Sequence, residues 1–96
     1  MTRYRLVRHP LVTRDIERIV DFLLEYTSAD AIATKLARLE TDIEALADQP
    51  WRGTGHNDIL EGLRILPSAH KGLIAFTIDE PTRTVKILSI TWTGAN

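Results

Sequence analysis

Two stretches in the first half of the chain have the hydrophobic spacing of amphipathic helices. In the first, apolar side chains recur three or four positions apart among charged ones: Val12, Ile16, Ile19, Val20, Leu23 and Leu24. This spacing predicts a helix over about residues 10–27. Pro10 suits its first turn, because an N–H group at that position would have no helical acceptor.

The second stretch repeats the pattern after a break at the sequence TSAD. Ser28 is placed to cap a helix, and Asp30 in the first turn would complement the helix dipole. The apolar positions alternate steps of four and three residues: Ile32, Leu36, Leu39, Ile43 and Leu46. We predict that this helix ends near Gln49, because Pro50 cannot continue it. The short connection predicts an antiparallel helical hairpin.

The remaining apolar segments are typical of β-strands. The segment RYRLVRH alternates, with Tyr4 and Leu6 on one side. Three more strands are predicted at about residues 62–67, 72–79 and 84–92, separated by turn sequences. The order β-α-α-β-β-β predicts one α+β domain over residues 1–96, with the N-terminal helical hairpin packed on a small antiparallel sheet.

The last two strands carry apolar residues on both of their predicted faces. In the first of them, simple alternation places Leu73 and Ala75 on one face and Ile74, Phe76 and Ile78 on the other. In the second, it places Val85 and Ile87 on one face and Leu88, Ile90 and Trp92 on the other. The helices account for one face. The other face is more apolar than a sheet that meets water, so we predict that another chain covers part of it. The alternative is that long helices wrap these strands on both sides.

Composition limits the classes of protein to consider. The chain has 44% hydrophobic and 26% charged residues, which is typical of a folded domain, and its net charge of −1 argues against broad binding to nucleic-acid phosphates. It has no cysteine, which excludes disulfides, thiolate metal sites and cysteine nucleophiles. The charged N-terminal segment MTRYRLVRHP is unlike a signal peptide, and no apolar run reaches the roughly 20 residues of a membrane span. We therefore expect a cytoplasmic protein that does not contact a membrane.

Known catalytic and cofactor motifs are missing from the sequence. His9, His56 and His70 lack metal-ligand spacing, and there is no P-loop, dinucleotide-binding or nucleophile-elbow motif. We expect no metal and no cofactor. The helix carboxylates are spaced for pairing with basic residues, as at Arg38 and Asp42, which predicts solvated helix faces rather than acid–base chemistry.

Basic side chains in and beside the predicted sheet are the remaining candidates for chemistry: Arg64, His70, Lys71, Arg83 and Lys86. Arg64 and Leu66 share one face of their strand. If the opposite side of that strand meets the helices, Arg64 points to the open face of the sheet. An arginine and a histidine there would suit a phosphodiester, since arginine stabilises the charged transition state and histidine transfers a proton. Alternatively, Arg64 is solvated or pairs with an acidic partner chain.

The order of these segments resembles the ParE/RelE superfamily, the toxins of type II toxin–antitoxin systems. The resemblance extends over essentially the whole chain, in the segments YRLVRHPLVTRDIERIVDFL, LADQPWRGTG, GLRILP, GLIAFTID and TVKILSITWTGAN. Its most specific parts are a helix ending in QP near a glycine, the GLR strand followed by Pro67, and the closing KIL strand. The resemblance implies the same fold and a small antitoxin, ParD-like or similar, that wraps and neutralises the toxin.

The superfamily divides by activity. RelE-type members cleave mRNA in the ribosome with basic residues on the sheet and an acid–base or stacking residue near the last strand, whereas ParE-type members poison DNA gyrase. Arg64 matches a strand arginine that both branches tend to carry. Ser89 stands where many relatives have an arginine, and Trp92 lies near a position for tyrosine or histidine. The set of residues that a nuclease relative would use is therefore incomplete. This and the net charge of −1 favour the ParE-like branch.

The resemblance thus implies a gyrase-inhibiting toxin that is not an enzyme, with DNA gyrase and a cognate antitoxin as partners and no sequence-specific nucleic-acid binding of its own. One alternative is a ribosome-dependent mRNA endonuclease that uses Arg64, His70 and Lys71. Another is a degenerate toxin that only forms the antitoxin complex and represses its own operon. We expect the antitoxin to cross the helical hairpin and the open sheet face, with these candidate contacts: Arg64, Leu66, His70, Lys71, Arg83 and Trp92.

Overall fold

The computed structural model describes residues 3–94. In chain order the elements are β1 (Arg5–Arg8), α1 (Leu11–Leu23), α2 (Ala29–Ala45), β2 (Thr54–Gly55), β3 (Leu63–Ser68), β4 (Gly72–Asp79) and β5 (Thr84–Trp92). The predicted α+β class is confirmed, and so is the order of its elements apart from the additional short strand β2.

Both helices end earlier than their apolar stripes predicted. Ser28 has an extended backbone, with φ −80° and ψ 159°, and its Oγ accepts a hydrogen bond from the N–H of Ala31 at 3.2 Å. This confirms the predicted cap, and it requires the chain to leave α1 before Ser28. After Ala45 the chain tightens into turns that lead to Pro50. Neither helix in residues 3–94 is long and apolar enough to cross a membrane.

The sheet is mixed rather than wholly antiparallel. Its strand order is β1-β5-β4-β3-β2. The predicted meander of β3, β4 and β5 is antiparallel, but β1 pairs in parallel with β5. Hydrophobic spacing shows which side chains share a face, but it does not show the direction of a neighbouring strand. Here the helical hairpin and the meander bring β5 back beside β1 in the same direction.

A β-bulge in β5 gathers its large apolar residues on one face. Phe76 pairs with Ile87 and Ala75 pairs with Ser89, so Leu88 is an extra residue in the strand. The alternation restarts after Leu88, and Ile90 therefore packs in the same core as Ile87. The prediction that Ile90 and Trp92 face away from Val85 and Ile87 was wrong for this reason. One core cluster joins both helices with Leu66, β4 and β5.

Candidate functional site

Arg64 lies on the helix-covered face of the sheet, opposite Phe76, which is fully buried. Its guanidinium group contacts the loop between α2 and β2. Arg64 Nη2 donates to the backbone oxygens of Trp51 at 2.8 Å and Gly53 at 2.9 Å, and Nε donates to that of Arg52 at 3.4 Å. Arg64 Cζ also lies 5.7 Å from the centroid of the Trp51 ring. These contacts make Arg64 a structural anchor of the loop.

The prediction that Arg64 and Leu66 point to the open face was wrong. The strand alternates as expected, but Leu66 is the residue that packs in the core, with 8% of its surface exposed. Leu63 and Ile65 occupy the other face, paired with Thr77 and Ala75. Leu66 therefore offers little surface to a partner chain.

The sheet face opposite the helices is less exposed than the sequence suggested. Its side chains Ile65, Leu73, Ala75 and Ser89 are all half-buried. Among the exposed large apolar side chains of residues 3–94, Val7 lies on this face, paired with Lys86. The others lie elsewhere, on α1 and beyond its ends and in the loops on either side of β2: Leu11, Phe22, Leu24, Tyr26, Trp51, Ile59 and Leu60. Contact between a partner and the open face remains a prediction.

His70 and Lys71 lie in the turn between β3 and β4. Ala69 and His70 have positive φ values of 55° and 71°, the left-handed conformation that non-glycine residues seldom adopt. The Lys71 oxygen accepts hydrogen bonds from the N–H of Thr93 at 2.8 Å and from the Thr93 hydroxyl at 3.0 Å, which fixes the turn to the end of β5.

His70 also borders an open groove of about 310 Å³, whose other lining residues include Arg38, Arg52, Asp42 and Ser68. Asp42 is buried, and its Oδ2 accepts hydrogen bonds from Ser68 Oγ at 2.6 Å and from Arg38 Nε at 3.2 Å. The predicted Arg38–Asp42 pair is confirmed, but the carboxylate is not solvated. Two arginines and a histidine around one groove could bind an anion.

Arg83 lies in the turn between β4 and β5, at the opposite end of the sheet from His70. Arg83 Cζ is 5.7 Å from the centroid of the Tyr4 ring, and the Tyr4 hydroxyl donates to the Glu80 carboxylate at 2.6 Å. That hydrogen bond raises the pKa of Tyr4 above its ordinary value. Arg83 therefore holds the beginning of β1 to this turn, at the other end of the sheet from His70 and Lys71.

Trp92, at the end of β5, packs against the core and borders a second groove of about 220 Å³. The remaining walls come from α1: Arg18, Ile19 and Phe22. Among residues 3–94, the Trp92 Nε1 atom is the one buried side-chain nitrogen or oxygen without a hydrogen-bond partner. This groove combines apolar and aromatic surface with a cation.

The sequence analysis did not identify Arg18, Phe22 or Arg52 as candidates. Phe22 had a detectable signal, since it is an aromatic residue outside the apolar stripe of α1, and so is Tyr26. Leu24 was assigned to that stripe, but it is 55% exposed, because α1 ends at Leu23. Residues 3–94 contain no cluster of three or more side chains arranged to bind a metal ion.

Comparison with known proteins identifies relatives of the chain by sequence and by fold. The sequence pattern of one protein family, described as the ParE toxin of type II toxin–antitoxin system, parDE, matches residues 6–92 of the chain. A comparison with the sequences of curated proteins gives no significant match.

Two solved structures have the same fold. A chain of the chromosomal ParDE toxin–antitoxin system from P. aeruginosa has a TM-score of 0.78 and 15% identity, and the match covers 95% of this chain and 97% of the other. A chain of the RelBE toxin–antitoxin complex from Mycobacterium tuberculosis has a TM-score of 0.70 and 20% identity, covering 100% of this chain and 97% of the other. At these identities the two structures establish the fold alone. With the family match over nearly all of the sequence, we conclude that the chain belongs to the ParE family of toxins of type II toxin–antitoxin systems.

Proposed function

We propose that this toxin inhibits DNA gyrase by binding the enzyme and stabilising a cleaved-DNA state. We also propose that a cognate antitoxin, a small ParD-like protein, neutralises it in the bacterial cytoplasm. Membership of the ParE family supports this proposal, since gyrase is the target that the ParE resemblance implies. In this function the chain acts by binding, and it needs no catalytic residue of its own.

The distribution of the basic residues carries the proposal. Arg64 is bound to loop carbonyls on the helix-covered face, His70 and Lys71 lie at one end of the sheet, and Arg83 lies at the other end. The open face carries Ser89 beside Ala75 at its centre. Cleavage of a phosphodiester needs an acid–base group and a cation within reach of the same phosphate. Arg64 is engaged by the loop and Arg83 lies at the other end of the sheet, so only His70 and Lys71 of these side chains lie close together, which favours binding over nuclease chemistry.

The test is a pair of assays on the purified toxin. In the first, gyrase, ATP and relaxed plasmid are incubated with increasing toxin. In the second, the same toxin is added to a translating extract, and the 5′ ends of the mRNA are mapped. We expect supercoiling to be inhibited while the mRNA stays intact. Unimpaired supercoiling at a large molar excess of toxin would contradict the proposal.

One observation favours ribosome-dependent mRNA cleavage as a second candidate function. His70 borders the same groove as Arg38 and Arg52, which places a proton-transfer group near two cations. This function requires codon-associated cuts that are lost in His70→Gln and in Arg52→Ala. Cuts that persist in both variants would exclude this groove as the cleavage site. Normal growth of cells that express the toxin without antitoxin would instead indicate a degenerate toxin.

A further inference from the structure

The end of α1 presents a cluster of aromatic and apolar side chains to the surface. Phe22, Leu24 and Tyr26 are 37%, 55% and 54% exposed, and the Phe22 and Tyr26 rings lie 5.0 Å apart. Exposed large apolar side chains that lie together are more typical of binding surfaces than of free surface. Aromatic and arginine side chains also contribute most of the binding energy in protein interfaces.

The groove beside this cluster has complementary parts. Ile19 and Trp92 form apolar walls, Phe22 borders the groove from the exposed side, and Arg18 supplies a positive charge. A volume of about 220 Å³ suits one or two side chains of a partner rather than a helix. The groove is therefore suited to an apolar anchor that has a polar group next to it.

Arg18 indicates which polar group that is, because it is exposed and supplies the positive charge of the groove. The Trp92 Nε1 atom is buried and out of reach of a partner, so the indole contributes its apolar ring. The nearby Arg18 favours a carboxylate over a neutral carbonyl, because hydrogen bonds between charged groups are stronger. A nucleic acid is a poorer match, since the groove has one cation among apolar walls and the chain has a net charge of −1.

We propose that the α1–β5 groove, formed by Arg18, Ile19, Phe22 and Trp92, binds a segment of the antitoxin in which an apolar residue is flanked by an aspartate or glutamate. The apolar side chain packs between Ile19, Phe22 and Trp92, and the carboxylate accepts hydrogen bonds from the exposed Arg18. This inference rests on the proposed neutralisation by an antitoxin, and it moves the expected contact from the open sheet face to the end of α1.

Trp92 allows the contact to be observed directly. The chain has two tryptophans, so Trp51→Phe leaves Trp92 as the sole indole reporter. Overlapping 15-residue synthetic peptides that span the proposed antitoxin, with any tryptophan replaced by phenylalanine, are titrated into this variant. We expect a peptide with adjacent apolar and acidic residues to shift the Trp92 emission. Peptides that bind without changing this emission would contradict the proposal.

Affinities of the full-length partner complete the test. We expect Arg18→Glu to weaken binding about tenfold or more, because it replaces a hydrogen bond to a carboxylate with repulsion. Trp92→Phe should weaken binding about threefold, because the groove loses part of its aromatic wall. Lys86→Glu is the matched control: Lys86 is exposed on the same strand as Trp92, on the opposite face, and its reversal should change affinity less than about twofold. If wild type, Arg18→Glu and Trp92→Phe bind the partner with equal affinity, the groove proposal is wrong, whereas the proposed neutralisation by an antitoxin still holds. If Lys86→Glu weakens binding more than either groove variant does, the groove proposal is wrong and the antitoxin binds the open face of the sheet. If the partner does not bind the wild-type toxin, the proposed neutralisation fails, and the groove proposal fails with it.

Discussion

The two tryptophans of the chain have contrasting surroundings. Trp51 is 57% exposed and lies beside Arg64, whose guanidinium donates hydrogen bonds to three backbone oxygens of the same loop. Trp92 is mostly covered and borders a groove together with the exposed Arg18. The arginine beside the aromatic ring thus binds the backbone of its own chain in the Trp51 loop, whereas at the α1–β5 groove it is exposed to a partner. Substitutions should affect stability at the first and partner affinity at the second.

The largest expected loss of stability comes from Gly53→Ala in the Trp51 loop. Gly53 has φ +86°, and an added Cβ would lie 2.6 Å from the backbone oxygen of Ile65, which cannot move away without disturbing β3. We expect the free energy of unfolding to fall by about 3 kcal/mol, measured by urea denaturation.

Gly62→Ala is the matched control. Gly62 has φ +79°, but nothing lies within 4 Å of an added Cβ. The backbone strain alone should cost about 1 kcal/mol. Equal losses for the two variants would show that close packing of the loop on β3 does not matter.

Arg64→Ala should lower the free energy of unfolding by about 2 kcal/mol, because the oxygens of Trp51, Arg52 and Gly53 lose their charged donor. Arg64→Lys should lose about half as much, since an ammonium group cannot reproduce the planar arrangement of guanidinium donors. Wild-type stability for Arg64→Ala would refute the role of Arg64 as a loop anchor. Wild-type stability together with lost gyrase inhibition would indicate a direct functional role.

Trp92→Phe should have the opposite profile. It removes an unsatisfied buried donor together with part of a packed ring, and the two effects should nearly cancel, leaving a change in unfolding free energy within about 1 kcal/mol. Affinity for the antitoxin should nevertheless fall, because the groove loses part of its aromatic wall. A loss of several kcal/mol in thermal or urea unfolding would instead make Trp92 a core residue without a specific binding role.

The smallest effect is expected at the Arg8–Glu40 ion pair, which lies away from both tryptophans. Arg8 binds Glu40 through two hydrogen bonds, at 3.0 Å and 2.5 Å, and lowers the pKa of Glu40 below its ordinary value of 4.5. A lowered pKa in the folded state stabilises the fold above the ordinary pKa, and this contribution disappears as the pH falls through the lowered value.

Glu40→Gln should therefore cost about 0.5 kcal/mol at neutral pH, a magnitude typical of a partly exposed pair. Unfolding curves of the two proteins should converge as the solution becomes strongly acidic. A difference that stays constant with pH would show that packing of the Glu40 side chain, rather than its charge, accounts for the loss.

The sequence was most informative where a single rule decides the structure. The apolar spacing and Ser28 predicted the helical hairpin, and turn residues predicted β4 and β5 at their observed bounds. It was least informative where two arrangements satisfy the same pattern. Leu66 is as apolar as Leu63 and Ile65, so alternation in β3 could not decide which side meets the helices.

Two features of the α1–β5 groove were also beyond sequence reasoning. The bulge at Leu88 moves Ile90 and Trp92 to the helix-covered face, and a strict period of two cannot reveal it. The missing partner of Trp92 Nε1 depends on its three-dimensional surroundings. Trp92 was already a predicted partner contact, and the exposed aromatic residues Phe22 and Tyr26 had a signal in the sequence because they lie outside the apolar stripe of α1.

Gyrase-dependent plasmid cleavage tests the proposed function most directly. Supercoiled plasmid is incubated with gyrase, ATP and the toxin, then treated with detergent and protease, and the linear DNA is quantified. We predict that linear plasmid accumulates with toxin, requires gyrase, and disappears when the toxin is first mixed with the proposed antitoxin. Plasmid that remains uncut at saturating toxin, while mRNA is cleaved in a translating extract, would contradict gyrase as the target.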